Sequence, residues 1–393
     1  MNKFSFFYIG SFLILLSILS FFNIIYSYYF NIFLSVDSYI YTFIICIILG
    51  CTLVFYSKNK HLKSSLFEKI SVVLLGYIIF PLIISLPFYL SIYNISFIDC
   101  YFESISGFTS TGFTVFENIK HLDQSLILWR STSQWIGGLY FIFSILLLID
   151  IFDENLKKSL TNYFSFDSSE ILKQSIKIIL IYLSLTIIIF IILKFINLRT
   201  FDSFNLALTI ISSGGFLPTN NFNNLIKNDL SIIIFSVLML ISYFSLFFIY
   251  NLLFFKRKNI NYLSEDFYLL IYLLLIVSFI FVFFNNENNF SNLLFSIASS
   301  VSNIGISINY VSINLSFLFL IFVIIGGSFF STSSGLRLMK VLSLIKFSLN
   351  NLLSHSKPNQ IYINKVYFSN LNTNKSDIDK YFLTIIIFFI SLC

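Results

Sequence analysis

Three stretches of this chain place hydroxyls and a glycine at matching positions, and their residue types point to one kind of chemistry. DCYFESISGFTSTGF runs from Asp99 to Phe113, DSFNLALTIISSGGF from Asp202 to Phe216, and NLLFSIASSVSNIGI from Asn292 to Ile306. In register, Ser106, Thr209 and Ser299 carry hydroxyls, as do Thr109, Ser212 and Ser302, and each stretch turns on a glycine: Gly112, Gly215 and Gly305. No copy groups His, Asp, Glu or Cys as proton transfer or metal catalysis requires, so the chain does not read as an enzyme. What remains is coordination by the main chain. Run extended, the turns TSTG, SSGG and SNIG would aim backbone carbonyls at a common axis, and rings of such oxygens replace the hydration shell of a potassium ion. The glycines supply backbone angles that a side chain resists, and Asn303 is acceptable because its carbonyl would be used.

The elements that position these turns follow from length. A helix from Asp202 to Ser212 is about 16 Å long, roughly half the hydrocarbon thickness, so it enters a bilayer and turns without crossing. Irregular backbone at that depth is tolerated only where protein encloses it or where it lines a watery cavity. The C-terminal end of each half-helix then presents about half a negative elementary charge, which favours a cation. The wider composition agrees: of 393 residues, 57% are hydrophobic and 11% charged, as in a polytopic membrane protein. Four cysteines without CxxC spacing and three scattered histidines give no support to a disulfide framework or a zinc site, and the cysteines read as single buried thiols. The net charge of +6 sits in short loops, which fits membrane topology and not nucleic acid.

In chain order, residues 1–57 read as a two-helix hairpin (spans near Phe4–Phe30 and Tyr39–Tyr56). Three helix, pore loop, helix units follow over 70–150, 171–256 and 266–349, and residues 380–393 read as the start of an incomplete fourth unit. The second unit is expected to end in one continuous span, Leu230–Phe255. A polar loop from about Asn350 to Asp379 precedes a last apolar run from Tyr381, too short to span. Lys58, Lys60, Lys63, Lys69, Lys157, Lys158, Lys173, Lys177, Lys256, Arg257, Lys258, Arg337, Lys340 and Lys346 fall in alternate loops. Asp99, Glu103, Glu117, Asp123, Asp202, Asp229 and Glu287 fall in the others. The positive-inside rule then puts the N-terminus in the cytoplasm. Asp99 and Asp202 sit where helix N-caps belong, and Arg130 beside Trp129 reads as an interfacial anchor.

With those residues in view, the chain resembles the Trk/Ktr/HKT superfamily of potassium transporters, most of all the bacterial TrkH-type membrane subunit. The likeness covers roughly Ile70 to Lys346 and is carried by SGFTSTGFTVF (Ser106 to Phe116), WRSTSQWIGG (Trp129 to Gly138), ISSGGF (Ile211 to Phe216) and GGSFFSTSSGLRLMK (Gly326 to Lys340). It implies an all-α membrane protein with units arranged about a pseudo-fourfold pore. Its filter positions fall on Thr109, Ser110, Thr111 and Gly112, on Ser212, Ser213, Gly214 and Gly215, and on Ser302, Asn303, Ile304 and Gly305. It also implies a gate in a broken helix at Gly326, Gly327, Ser328, Gly335 and Arg337. K+ would be the transported ion, with no cofactor. The protein would be a homodimer in the lipid of the bacterial cytoplasmic (inner) membrane, bound to a cytosolic nucleotide-binding regulatory subunit.

Two departures stand out. The gate stretch carries Phe329, Phe330, Ser333 and Ser334 where the family is rich in glycine and alanine, with Arg337 in the usual lysine place. The missing fourth unit leaves three quarters of a filter and keeps a non-conducting remnant or assembly protein as an alternative. A sodium-coupled symporter of the same fold is the other.

Overall fold

A computed structural model describes residues 3–57, 65–148, 171–226, 228–254, 265–284, 290–308, 313–356 and 375–392, and among these all regular structure is helical. The expected basic residues Lys58, Lys60, Lys63, Lys157, Lys158, Lys256, Arg257 and Lys258, together with Glu287, lie outside the described residues, whereas Lys69, Lys173, Lys177, Lys340 and Lys346 lie within helices and not in loops. The chain divides into two compact units, one drawn from Met1–Leu148, Phe166–Ser231 and Ile304–Ile306, the other from Ile149–Ser165, Ile232–Asn303 and Ser307–Cys393.

The first unit opens with the hairpin of α1 (Lys3–Tyr29) and α2 (Val36–Ser57). Gly10 and Gly50 let the two backbones approach, since a Cβ on Gly10 would lie 3.0 Å from the Gly50 carbonyl. Small residues at such contacts bring helices close where lipid gives no hydrophobic drive between them. Next come α3 (Leu66–Tyr89), which stays helical through Pro81 and Pro87, the half-helix α4 (Phe97–Phe108) and α5 (Gln124–Leu147). The spanning helix α6 (Ile171–Phe195) and the half-helix α7 (Thr200–Ile211) follow. By length and apolarity alone, α2, α3 and most of α1 and α6 are the four described helices able to cross a membrane.

Helix α5 is less apolar because it is surrounded by protein. It is buried along nearly its whole length. The indole N–H of Trp129 donates to the Ile84 carbonyl of α3 at 3.0 Å, and that of Trp135 donates to the Thr186 hydroxyl of α6 at 3.1 Å. Adjacent glycines then bring α5 against both half-helices. A Cβ on Gly137 would strike the Phe108 carbonyl at the end of α4 (1.9 Å), and one on Gly138 would lie 2.9 Å from Ser212 Cα at the end of α7.

The second unit holds α8 (Asp229–Met239, entering it at Ile232), α9 (Leu246–Leu253), α10 (Glu265–Phe284), the half-helix α11 (Phe290–Ser302), α12 (Ile313–Ile325), α13 (Leu338–Ser356) and α14 (Lys375–Leu392). Its core joins Tyr243, Phe244 and Phe248 to Leu269, Ile276 and Ile280 of α10, Ile297 and Val301 of α11, and Leu315 and Phe319 of α12.

Two expectations are corrected. The span Leu230–Phe255 is broken: between Met239 and Leu246 the chain makes tight turns, with Ile241 N–H on the Leu238 carbonyl (3.0 Å) and Tyr243 N–H on the Leu240 carbonyl (3.2 Å). Ser245 restarts the helix, its hydroxyl accepting from Phe248 N–H at 3.2 Å. The polar loop from Asn350 is shorter at both ends, because α13 continues to Ser356 and α14 begins at Lys375. The last helix is therefore 18 residues, about 27 Å.

The tightness of α5 gives a first prediction. Gly137→Ala should force α4 from α5 and lower the melting temperature in detergent by several degrees, as overpacking of about 1–3 kcal/mol would. Ile48→Ala, on an exposed face of α2, should leave it nearly unchanged. Differential scanning fluorimetry of the two variants measures both.

Candidate cation-coordinating turns and helix break

Each half-helix starts two residues before its expected first residue. Asp99 and Asp202 are consequently not N-caps: Ser96 and Arg199 hold those positions, and both aspartates lie in the first helical turn. The Ser96 hydroxyl accepts from Asp99 N–H at 3.2 Å and donates to its carboxylate at 2.7 Å. A negative charge there suits the helix N-terminus.

The C-terminal ends repeat one geometry. Ser110, Ser213 and Asn303 occupy the left-handed region, with φ of 55°, 56° and 59°. Ser110 N–H returns to the Gly107 carbonyl (2.9 Å) and Thr111 N–H to that of Ser106 (2.9 Å); Ser213 N–H returns to Ile210 (3.1 Å) and Gly214 N–H to Thr209 (2.9 Å). That pair of bonds is the Schellman cap. Asn303 N–H makes the corresponding return to Ser300 at 3.3 Å. In a trans peptide the carbonyl lies opposite the N–H. N–H groups turned back on the helix therefore direct the carbonyls of Thr109, Ser110, Ser212, Ser213 and Ser302 away from it.

Hydroxyls hold the turns open. Ser106 donates to the Phe113 carbonyl, and its register partner Thr209 donates to the Phe216 carbonyl at 3.1 Å. Thr109 donates to Ile105 (2.7 Å), Ser212 to Leu208 (2.9 Å), and Ser302 to Ser299 (3.4 Å).

Within the first unit Gly112 and Gly215 meet each other and Gly215 meets the Ile304 carbonyl, whereas a Cβ on Gly305 would meet nothing within 4 Å. A Cβ on Gly112 would lie 2.9 Å from Gly215 Cα, and one on Gly215 would lie 2.9 Å from the Ile304 carbonyl and 3.3 Å from Gly112 Cα. Gly112 and Gly305 have φ of 84° and 75°, as expected for turn glycines. Gly215 is not among the left-handed residues, and space, not angle, demands glycine there.

Helix α5 supports two of the turns from behind. Gln134, its amide oriented by these bonds, accepts from Gly215 and Phe216 N–H, both at 3.1 Å. Arg130 is not an interfacial anchor. Its side chain is 1% exposed and paired at 2.8 Å with Glu103 of α4, itself 1% exposed. Glu103 is thus no loop charge either, and it drops out of the topology argument. Arg130 Nη2 donates to the Thr114 hydroxyl at 3.0 Å, and Glu103 accepts from that hydroxyl (3.1 Å) and from Val115 N–H (2.9 Å). The guanidinium lies 4.2 Å from the centroid of the Phe216 ring. Removing one member of a buried pair strands the other's charge, at a cost of about 3–5 kcal/mol.

The gate residues named from the sequence all lie in the second unit, where α12 breaks. Gly326 (φ 66°) and Gly335 (φ 111°) pack back to back, a Cβ on Gly335 falling 2.7 Å from Gly326 Cα. The base of the loop is closed by Leu336 N–H on the Ile324 carbonyl (2.8 Å) and Arg337 N–H on Ile325 (2.9 Å). Arg337, with φ of 72°, turns its buried guanidinium into the loop, where Nη1 donates to the carbonyls of Ser328 and Ser333 and to the Ser331 hydroxyl. It fills the loop.

This loop pairs with the unexpected break between α8 and α9. Ser328 N–H donates to the Tyr243 carbonyl (2.9 Å), Ser333 N–H to Ser242 (3.2 Å), and Leu246 N–H to Phe330 (3.2 Å). A Cβ on Gly327 would lie 2.4 Å from the Tyr243 carbonyl. The buried carboxylate of Asp266 fixes the break, accepting from Ser245 N–H at 2.8 Å and from its hydroxyl at 2.7 Å. The loop also touches the third turn: the side-chain amide of Asn303 donates to the Ser334 hydroxyl (2.7 Å) and the Val323 carbonyl (3.3 Å). Neither Asp266 nor the α8 break was signalled by the sequence, which has no Gly or Pro between Leu240 and Ser245.

Comparison with known proteins finds relatives among cation transporters. The chain is 27% identical over 359 residues to an uncharacterized cation transporter of Methanocaldococcus jannaschii, covering 88% of this chain and 72% of that one. It is 25% identical to the Trk system potassium uptake protein TrkG of Escherichia coli (80% and 69% covered) and 23% identical to TrkH of the same organism (82% and 70%). The crystal structure of the potassium transporter TrkH from Vibrio parahaemolyticus shares the fold, with a TM-score of 0.84 at 22% identity over 98% of this chain and 83% of that one. The family profile described as TrkH, cation transport protein, matches residues 37–265, more than half of the sequence, and the chain belongs to that family of membrane transport proteins.

Proposed function

We propose that this protein carries potassium ions into the cell through a filter built from the turns at Thr109–Gly112, Ser212–Gly215 and Ser302–Gly305, the inner elements of three helix, pore loop, helix units. The observation that carries this reading is the meeting of Gly112, Gly215 and the Ile304 carbonyl, at the ends of half-helices whose terminal N–H groups are turned back. Carbonyls directed away from those helix ends are the chemistry a dehydrated alkali ion requires. The relatives named as potassium uptake proteins support the choice of ion. The loop from Gly326 to Arg337 is the gate, and its bond to Asn303 joins it to the third turn. The reading extends to a homodimer in the inner membrane, N-terminus in the cytoplasm, working with a cytosolic nucleotide-binding regulator. The ion passes without covalent chemistry.

Expression in a bacterium that lacks potassium uptake tests the whole reading. Growth on low potassium is expected, and failure to grow despite normal membrane expression would count against it. Two substitutions test its parts. Gly215→Ser puts a side chain against the Ile304 carbonyl, so the Rb+ to Na+ flux ratio in liposomes should fall; an unchanged ratio removes that turn from the filter. Ser334→Ala deletes the acceptor of the Asn303 amide, a hydrogen bond of ~1 kcal/mol. Basal flux should rise about fivefold with selectivity preserved, and unaltered basal flux would show that the contact does not restrain the gate.

A further inference from the structure

The Glu103–Arg130 pair sits where neither capping nor membrane anchoring explains it. One guanidinium and one carboxylate join four pieces of the first unit: the half-helix α4, the helix α5, the segment leaving the first turn, and the residue that follows the second turn. Arg130 Nε meets Glu103 Oε1 at 2.8 Å, and Nη2 meets Thr114 Oγ1 at 3.0 Å. The same hydroxyl donates to Glu103 Oε1 at 3.1 Å, which closes a triangle, and accepts from Phe116 N–H at 3.1 Å. Glu103 Oε2 holds Val115 N–H at 2.9 Å. The guanidinium face covers Phe216 and, at 5.5 Å, Phe116. Cation–π attraction of this kind grows when water is excluded.

Among the three half-helices the device belongs to the first alone. The positions in register with Glu103 are Leu206 and Ser296, so the other half-helices carry no charge there. A carboxylate inside protein is costly unless paired and fully hydrogen-bonded, and the half-helix would pack as well with the leucine of its second copy. What the pair adds is stiffness: in a low dielectric, any displacement that lengthens its bonds is opposed strongly.

We propose that Glu103, Arg130 and Thr114 form a clamp of positioning residues that fixes the first turn against the second and thereby sets discrimination between potassium and sodium. The inference rests on the filter reading above. Carbonyls that hold their spacing favour the larger ion, whereas a turn free to contract accommodates the smaller one. Arg130 touches no ion in this account and acts through Thr114 and Phe216.

The test uses the full chain reconstituted in liposomes for Rb+ and Na+ flux, and in detergent for the rise in melting temperature that K+ and Na+ each produce. Wild type should favour Rb+ and be stabilised more by K+. Thr114→Val removes the bridging hydroxyl and leaves no charge stranded. It should lower the Rb+ to Na+ flux ratio about tenfold, equivalent to ~1.4 kcal/mol, and narrow the difference between the two ions in melting temperature. Arg130→Gln should lower the ratio further, and Arg130→Lys should recover part of it, because the charge returns without the fork. A folded Thr114→Val protein that keeps both wild-type differences overturns the clamp. A wild type that passes no Rb+ but is stabilised selectively by K+ overturns the uptake reading instead, and the clamp then stands or falls on whether Thr114→Val erases that stabilisation. A wild type showing neither property overturns both.

Discussion

A helix that stops inside a membrane leaves its last carbonyls without partners, and this structure is organised by how those ends are satisfied. Lipid cannot supply them, so the chain itself or a watery cavity must. At the first two ends the solution is a Schellman cap, and at the third at least its inner bond, with Ser110, Ser213 and Asn303 in the left-handed conformation. The cap removes two helix carbonyls from competition and reverses the chain sharply. It also leaves the next peptides with their N–H groups inward and their carbonyls outward. On the proposed filter reading, a coordinating surface for a cation would follow from the same bonds that finish the helix, with no charged side chain needed to face the ion.

The second requirement is that adjacent turns keep their distance, and in the first unit a single helix meets it. Along α5, Arg130 reaches the exit of the first turn, Gln134 takes the N–H groups of the second, and Gly137 and Gly138 admit the ends of both half-helices. These residues lie within ten positions of one another and use three different interactions: an ion pair, an amide accepting two hydrogen bonds, and the absence of a side chain. Placing them on a fully buried helix trades apolar surface for position. It also explains why α5 lacks the apolarity of a lipid-facing span although it is as long as one.

Much of this was legible in the sequence, and the failures share a cause. The all-helical membrane fold follows from composition and run length. The three half-helices follow from a register in hydroxyls and glycine that no single copy would have revealed. What local pattern could not show were interactions between distant positions. Arg130 next to Trp129 has the look of an interfacial anchor until Glu103, 27 residues earlier, is brought beside it. Asp99 resembles an N-cap because Ser96, the actual cap, is equally good at that task. Glycine was expected to carry the strained angles, yet in every copy the residue two positions before the shared glycine is a left-handed Ser or Asn. A cap with both its bonds formed compensates the modest strain of a short polar side chain in that region. The break after Met239 had no glycine or proline to announce it, because its cause lies in another segment.

That break bears on how the proposed gate could work. The loop after Gly326 donates two backbone hydrogen bonds to the turns between α8 and α9 and accepts one from α9. At membrane depth each of those groups needs a partner, so the loop cannot leave its position alone without stranding carbonyls at Ser242 and Tyr243. Two routes remain: the loop and the break move together, or water enters as they separate. The first requires release of Ser245 from Asp266, which holds the break by two short bonds. The second requires a wetted cavity, and a conducting pore supplies one. On the proposed uptake reading, opening would be favoured by the water that accompanies the ion, and a closed, dry loop would be self-sealing. The bulky Phe329 and Phe330 do not contradict a mobile loop on this argument. Phe330 packs against Phe247 of α9, so it would travel with the segment to which the loop is already bonded.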